Sequence, residues 1–181
     1  MHLHKLALGM TVGFILSVVA GSVEAKQIKI RGSFSGSFSP SDFDFNQDGQ
    51  KAGLNLLTGT GTLGRFTSQS QSEYQLPLPT PVTCPSDTVE FPLMGSNSVT
   101  TDISTGDLLL SFSSSGTLCV NPSTGVFTFQ GTYDYFDGTG RFTGATGSVQ
   151  VQGTGLYHVC DPANRCFGNQ TGTFTGKLIL P

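Results

Sequence analysis

The segment from Asp44 to Gly49 has the residue spacing most typical of metal binding in this 181-residue sequence. Asp44, Asn46 and Asp48 place side-chain oxygens at alternate positions, and Gly49 follows where the chain must bend. Calcium loops begin with this pattern, because Ca²⁺ binds about six to eight oxygen ligands and a glycine allows the sharp turn. The backbone carbonyl of Gln50 could add a further ligand. The pattern predicts a candidate calcium site, and calcium is the one cofactor that the sequence suggests.

The alternative is a polar turn that binds no metal. Three side chains leave most of a calcium shell to carbonyls, water or distant acids, and Asp42 is the nearest further carboxylate. The twelfth position counted from Asp44 is Asn55, whereas an EF-hand carries Glu there. If calcium binds, we expect it to hold a loop in an extracellular setting. A calcium-dependent adhesion module is then one predicted function.

A second group of candidate ligand-binding residues lies in the second half of the predicted mature chain. Tyr133, Asp134 and Tyr135 are consecutive on a predicted strand, and Arg141 follows in the next turn. Because side chains alternate across a strand, Asp134 could point inward with both tyrosines pointing outward. A deep apolar pocket that contained any of these four residues would favour binding of a hydrophobic small molecule.

Residues for acid–base or covalent catalysis are scarce. His158 is the one histidine outside the first residues, and no G-x-S-x-G elbow accompanies it, so we expect a surface histidine. Gly59, Gly61 and Gly64 match G-x-G-x-x-G, but no helix is predicted after them and the match is fortuitous. These observations favour a protein that is not an enzyme. They do not exclude a barrel enzyme, which can act through pocket shape and one or two polar groups.

All four cysteines fall in the predicted mature chain, at positions 84, 119, 160 and 166. An even number of cysteines behind an export signal predicts two disulfides. We favour Cys160–Cys166, which closes a short loop, together with Cys84–Cys119, which would tie two neighbouring strands. A metal site is the alternative, but the spacings are not C-x-x-C and only His158 lies nearby.

The first 25 residues have the layout of a secretory signal peptide. Lys5 precedes an apolar stretch from Leu6 to Ala20, and small side chains at Val23 and Ala25 suit a signal peptidase. We therefore expect one domain over residues 26–181, secreted or periplasmic, with no membrane span after cleavage. The net charge of −3 is spread without basic runs, which argues against nucleic-acid or membrane-surface partners.

The mature sequence has the alternation of half-buried β-strands and no sustained helical periodicity. Apolar residues recur every second position in segments that begin near Gln27, Val126, Ser148 and Thr171. The segment Lys51 to Leu57 is the best place for a short helix, or else it opens a strand. Asp-Gly steps at positions 48–49 and 137–138 suit tight hairpins. We predict an all-β domain, an antiparallel closed barrel of about eight strands, with a β-sandwich as the alternative.

The segment Phe136 to Gly147 resembles a hairpin motif of allene-oxide-cyclase-like and dirigent-like β-barrel proteins, and of many secreted bacterial proteins. The motif reads G-G-T-G-x-F-x-G-A-x-G, and Asp137 here replaces its first glycine. The resemblance implies an eight-stranded barrel that is often dimeric or trimeric. It implies no activity, because the carboxylate and pocket residues of the characterised enzymes have no match here.

These observations favour a secreted, non-enzymatic barrel that acts as a binding or structural module, with a hydrophobic small molecule or a cell-surface component as its partner. The alternative is a dirigent-like, cyclase-type or isomerase-type barrel that acts on a hydrophobic small molecule. A barrel packed solid by phenylalanine would favour the first function, and an interior pocket the second.

Overall fold

The computed structural model describes residues 24–160 and 166–181, so the predicted signal peptide lies outside the described residues except for its last two. Eight strands account for most of that part: β1 (Lys26–Pro40), β2 (Gly53–Gly61), β3 (Gly64–Tyr74), β4 (Val89–Asp102), β5 (Leu108–Val120), β6 (Val126–Gly138), β7 (Thr146–Cys160) and β8 (Cys166–Leu180). One 3₁₀ turn (Gly140–Phe142) lies between β6 and β7. In these two ranges, no helix has the length and apolar character needed to cross a bilayer.

The strands form a closed antiparallel barrel. Each strand pairs with the next along the chain, and β8 pairs with β1 at a seam where Lys26 lies opposite Leu180 and Phe38 opposite Gly168. Closure leaves no unpaired sheet edge. The predicted barrel of eight strands is confirmed, and the β-sandwich alternative is wrong. Of the two alternatives for Lys51 to Leu57, the strand is correct, because β2 begins at Gly53.

Aromatic rings form one wall of the interior because strand alternation turns them inward, onto glycines of neighbouring strands. A Cβ atom built on Gly155 would lie 2.2 Å from Cζ of Phe127, so the ring occupies the space that any larger residue would need. The Phe38 ring meets Phe127 and Tyr157 edge to face, with centroids 5.3 and 5.2 Å apart. Rings lie over glycines in this way at Phe34, Phe38, Phe66, Phe127, Phe129 and Phe174.

Short connections join the strands at one end of the barrel, which we call the turn end. They are residues 62–63, 103–107 and 139–145. The last of these carries the 3₁₀ turn and inserts Phe142 into the barrel, where its side chain is buried among Leu109, Leu178 and Ala145. Phe142 therefore closes the turn end as an apolar plug.

The Asp137-Gly138 step is not the tight hairpin that the sequence predicted. Gly138 ends β6, and the connection takes positive φ at Gly140 and Gly144, +54° and +70°. Asp137 instead uses its Oδ1 atom to accept hydrogen bonds from the backbone amides of Gly138 and Gly144, at 2.7 and 3.0 Å. These bonds hold the pKa of the Asp137 carboxyl below its ordinary value.

Longer connections, residues 41–52 and 75–88, lie at the opposite end, which we call the loop end. Both predicted disulfides are confirmed, Cys84–Cys119 and Cys160–Cys166. The first joins the connection 75–88 to β5 rather than two neighbouring strands, because Cys84 precedes β4. Glu90 organises the same connection: its buried carboxylate accepts hydrogen bonds from the amide and hydroxyl of Thr83, both at 2.8 Å.

Candidate functional site in the barrel interior

The wall opposite the phenylalanines is polar. Strands β3, β4 and β5 turn small hydroxyl side chains inward where a barrel of this size normally holds aliphatic ones. Neighbouring hydroxyls pair across the strands: Ser68 with Ser98 at 3.0 Å, and Thr100 with Ser68 at 3.1 Å. The inward-facing residues of this wall include Ser68, Ser70, Ser72, Ser96, Ser98, Thr100, Ser111 and Ser113. Apart from Phe66, which also lies on β3, the interior is therefore aromatic on one side and hydroxylated on the other.

A chain of hydrogen bonds, which we call the polar belt, crosses the middle of the barrel. Gln170 Nε2 donates to Asn55 Oδ1 at 2.8 Å, and Asn55 Nδ2 donates to the Ser72 hydroxyl at 3.4 Å. The Ser72 and Ser96 hydroxyls lie 2.9 Å apart, and the Tyr133 hydroxyl donates to Ser96 at 3.1 Å. The belt satisfies polar groups on five strands that would otherwise be buried without partners.

A cavity of about 140 Å³ lies between the Phe142 plug and the polar belt. Its apolar lining includes Phe34, Phe129 and Val151, while its polar lining comes from the serine wall and the belt. A protein cavity of about 150 Å³ holds one benzene molecule. The barrel is therefore not packed solid by phenylalanine, and its cavity has room for about one six-membered ring.

Charged groups lie where the cavity meets the turn end. The guanidinium of Arg141 donates hydrogen bonds to the buried carboxylate of Asp102 and, at 2.9 Å, to the carbonyl of Leu63. The Asp102 carboxylate also accepts from the hydroxyl and the amide of Ser104, at 2.6 and 2.7 Å. Ser104, with a smaller contribution from Arg141, holds the pKa of Asp102 below its ordinary value. The cavity thus ends on an ion pair.

The structure brings together three of the four residues predicted for ligand binding. Tyr133, Tyr135 and Arg141 all line the cavity. The prediction for Asp134 was wrong: its side chain is exposed on the outer face, since the register pairs Tyr133 with Val149 and both face inward. Burial raises the pKa of the Tyr135 hydroxyl, which therefore stays protonated and able to donate a hydrogen bond at neutral pH.

The predicted calcium loop lies outside the barrel, in the connection 41–52. Asp44 Oδ2 accepts from the Gly49 amide at 3.0 Å, and Asn46 Nδ2 donates to Asp48 Oδ2 at 2.8 Å. The Gln50 amide donates to Asp48 Oδ1 at 2.8 Å. These hydrogen bonds lower the pKa values of Asp44 and Asp48. The four predicted residues therefore do converge in one compact loop.

Sequence reasoning missed Glu73, which lies on β3 directly beside this loop. One carboxylate oxygen each from Asp44, Asp48 and Glu73 lie within 4.8 Å of one another. Glu73 is separated from the loop by the whole of β2, so no local spacing could have connected them. His158 is exposed, as the sequence indicated, and Gly59, Gly61 and Gly64 lie in the β2–β3 hairpin with no helix after them.

Comparisons with known proteins bear on the fold alone. No protein-family model and no curated protein matches the sequence. Among solved structures, the chain is similar to the pterocarpan synthase dirigent protein GePTS1, with 14% identity and a TM-score of 0.42 over 89% of this chain and 88% of that one. The eight-stranded barrel that the hairpin resemblance implied is confirmed by the strand pairing.

Proposed function

We propose that this protein is a secreted or periplasmic, non-enzymatic barrel that binds a small molecule with one ring and a hydroxyl substituent. The observation that carries the proposal is the cavity between the two chemically different walls. An apolar ring fits against Phe34 and Phe129 through dispersion and area burial, and a hydroxyl group can replace hydrogen bonds within the serine wall.

The secreted location is supported by the layout of the first 25 residues and by the two disulfides, which persist in oxidising compartments. The size of the ligand follows from the cavity of about 140 Å³. Its polarity follows from hydroxyl groups such as Tyr135, which makes no hydrogen bond with the described residues and is free to donate one to a ligand.

Titration with p-cresol, toluene and cyclohexanol, followed by NMR or calorimetry, tests the proposal. We expect p-cresol to bind with a dissociation constant on the order of 0.1–1 mM. This value corresponds to roughly 0.5–0.7 kcal/mol for each of about eight non-hydrogen atoms, which is within the range found for small ligands. Toluene lacks the hydroxyl and should bind several-fold more weakly. Cyclohexanol lacks the aromatic ring and should also bind more weakly.

A matched pair of variants on β4 locates the binding. Ser98→Leu fills the cavity, while Asn97→Leu adds the same side chain to the outer face of the same strand. We expect Ser98→Leu to abolish binding of p-cresol and Asn97→Leu to retain it. Equal binding by the two variants, or no binding at millimolar p-cresol, would show that the cavity is not a ligand site.

A second candidate function is a dirigent-like, cyclase-type or isomerase-type barrel, and the Arg141–Asp102 ion pair at the cavity favours it. A positioned charge can orient a reacting molecule with few other groups. A binder leaves a bound ring to react as it does in water, whereas a guiding barrel makes one enantiomer of a chiral product in excess. Chiral chromatography of products formed from the bound phenol by an added one-electron oxidant distinguishes the two: unequal enantiomers support the guide, and a racemate contradicts it.

A further inference from the structure

The most unusual buried group outside the barrel interior is the carboxylate of Glu73. The residue is 1% exposed, and its Oε2 atom accepts a hydrogen bond from the Phe45 amide at 2.6 Å. Its Oε1 atom is buried and has no hydrogen-bond partner within the described part of the chain. A buried carboxylate oxygen without a partner is costly, so a partner of another kind is expected there.

Asp44, in the loop beside Glu73, also has a buried carboxylate oxygen without a hydrogen-bond partner. Its Oδ1 atom is buried and unpartnered, while its Oδ2 atom accepts from the Gly49 amide. Asp48 adds a third carboxylate, and one oxygen from each of the three acids lies within 4.8 Å of the other two. Two of the three converging carboxylates thus each have a buried oxygen that no donor in the described part of the chain satisfies.

The charge of this cluster calls for a cation. Three carboxylates converge, and among the described residues Lys51 is the one basic side chain paired with them. The Lys51 side chain is partly exposed, and its Nζ lies 3.5 Å from Asp44 Oδ2. Ca²⁺–oxygen bonds of about 2.3–2.6 Å allow two ligands of one ion to lie up to about 5 Å apart. The three oxygens are therefore already within the span of a single calcium ion.

We propose that Asp44, Asp48 and Glu73 bind a structural calcium ion that fastens the connection 41–52 to the side of β3. Asn46 and the carbonyl of Gln50 lie in the same loop and can complete the oxygen shell. Glu73 takes the role of the distant acid that the loop lacks within its own sequence. Calcium is favoured over magnesium because it accepts several carboxylates in irregular geometry, whereas Mg²⁺ needs near-octahedral ligands and retains water.

Binding would fix the loop end of the barrel and leave the interior cavity unchanged. The loop carries Phe43 and Phe45, whose rings meet edge to face with centroids 4.7 Å apart. A Cβ atom built on Gly95 of β4 would lie 3.4 Å from the Phe45 ring, so the ring covers that strand. A cation at Glu73 would hold this aromatic pair on the barrel wall.

Thermal unfolding of the purified, disulfide-bonded protein tests the site, with 5 mM CaCl₂, 5 mM MgCl₂ or EDTA as the only difference. Extracellular calcium modules bind with dissociation constants of about 10⁻⁴–10⁻³ M. Mass action then predicts that calcium raises the unfolding midpoint by roughly 2–9 °C over EDTA, and that magnesium raises it much less. Calorimetric titration with calcium alone should give one site per chain.

Glu73→Gln and Asp48→Asn remove one charge each with little change of shape, and Asp134→Asn makes the same kind of change on the outer face of β6. We expect the calcium-dependent shift to disappear in the first two variants and to persist in Asp134→Asn. An unaltered protein with no calcium response, or a response that survives both Glu73→Gln and Asp48→Asn, overturns the proposal.

Discussion

Arg141 and Asp102 form an ion pair that joins three connections at the turn end of the barrel. Arg141 belongs to the connection 139–145, Asp102 ends β4, and the same guanidinium donates to Leu63 in the β2–β3 turn. The guanidinium also lies 4.6 Å from the centre of the Phe142 ring that plugs the barrel. One side chain thus connects the plug to two neighbouring turns.

This ion pair predicts a loss of stability in acid. Ser104 and Arg141 lower the folded-state pKa of Asp102 below its ordinary value of 3.8. A depressed folded pKa contributes stability that is fully present above the unfolded value and is lost as the pH falls through the folded one. We therefore expect the temperature of the unfolding midpoint to decrease as the pH is lowered below about 4.

Unfolding curves from pH 2 to 6 check this prediction with Asp102→Asn as the comparison. The variant should be less stable at pH 6 and should lose less stability on acidification than the unaltered protein. The remaining slope comes from other acids with lowered pKa values, such as Glu90 and Asp137. Parallel curves for the two proteins would mean that Asp102 contributes nothing to the acid response.

In the connection 139–145, replacement of Gly140 by alanine is predicted to destabilise the fold most. The φ of Gly140 is +54°, and a Cβ atom there would collide with the Asp107 carboxylate. Gly106 also has a positive φ, +78°, but nothing lies within 4 Å of its Cβ position. Gly106→Ala should therefore cost about 1 kcal/mol from backbone strain alone, and Gly140→Ala about 2–3 kcal/mol because a collision is added.

The denaturant midpoints of the two alanine variants, at unchanged slope, measure this difference. Removal of the carboxylate in the double variant Gly140→Ala with Asp107→Ala should recover part of the loss. Equal destabilisation at positions 106 and 140 would contradict the predicted collision.

Phe142→Ala should open the cavity at the turn end. The side chain is buried in the core, so we expect a loss of about 3–4 kcal/mol in the free energy of unfolding. An added apolar ring can refill the space, so millimolar toluene should raise the unfolding midpoint of the variant more than that of the unaltered protein. If toluene acts on both proteins equally, the vacated space is not continuous with a ligand cavity.

The two disulfides should differ in their contribution to stability. Cys84–Cys119 closes a loop with a sequence separation of 35, and Cys160–Cys166 one of 6. Loop-closure entropy assigns about 4 kcal/mol to the first and about 2 kcal/mol to the second. Denaturant unfolding of two variants, each with one cysteine pair replaced by serine, measures both contributions. Loss of Cys84–Cys119 should lower the free energy of unfolding more than loss of Cys160–Cys166. The reverse order would mean that native contacts outweigh the entropy of the unfolded chain.

Much of the fold could be predicted because alternation marks strands irrespective of which face is buried. Ile30, Phe34, Phe174 and Leu178 all lie inside the barrel, as the period of two indicated. The even number of cysteines behind a predicted export signal indicated two disulfides, and the short loop between Cys160 and Cys166 favoured the pairing that the structure has.

The prediction that Asp134 belongs to the ligand-binding group was wrong for a physical reason. Hydropathy identifies the inner face only when the interior is apolar, and here β3 turns Ser68, Ser70 and Ser72 inward while Leu56 on β2 is half-exposed. Tyr133 and Tyr135 could occupy either face of such a sheet. Glu73 was absent from the predicted calcium ligands because strand pairing, rather than sequence proximity, brings it to the loop.

The polar belt also constrains the order in which the chain can fold. The hydrogen bond between Asn55 and Gln170 joins residues 115 positions apart, and the β1–β8 seam pairs the first strand with the last. Neither can form until nearly the whole chain is present, and such distant contacts slow folding because loop closure precedes any stabilising gain. The hairpins β2 to β7 can form early as an open sheet, and seam closure becomes the slow step that completes the belt and encloses the cavity.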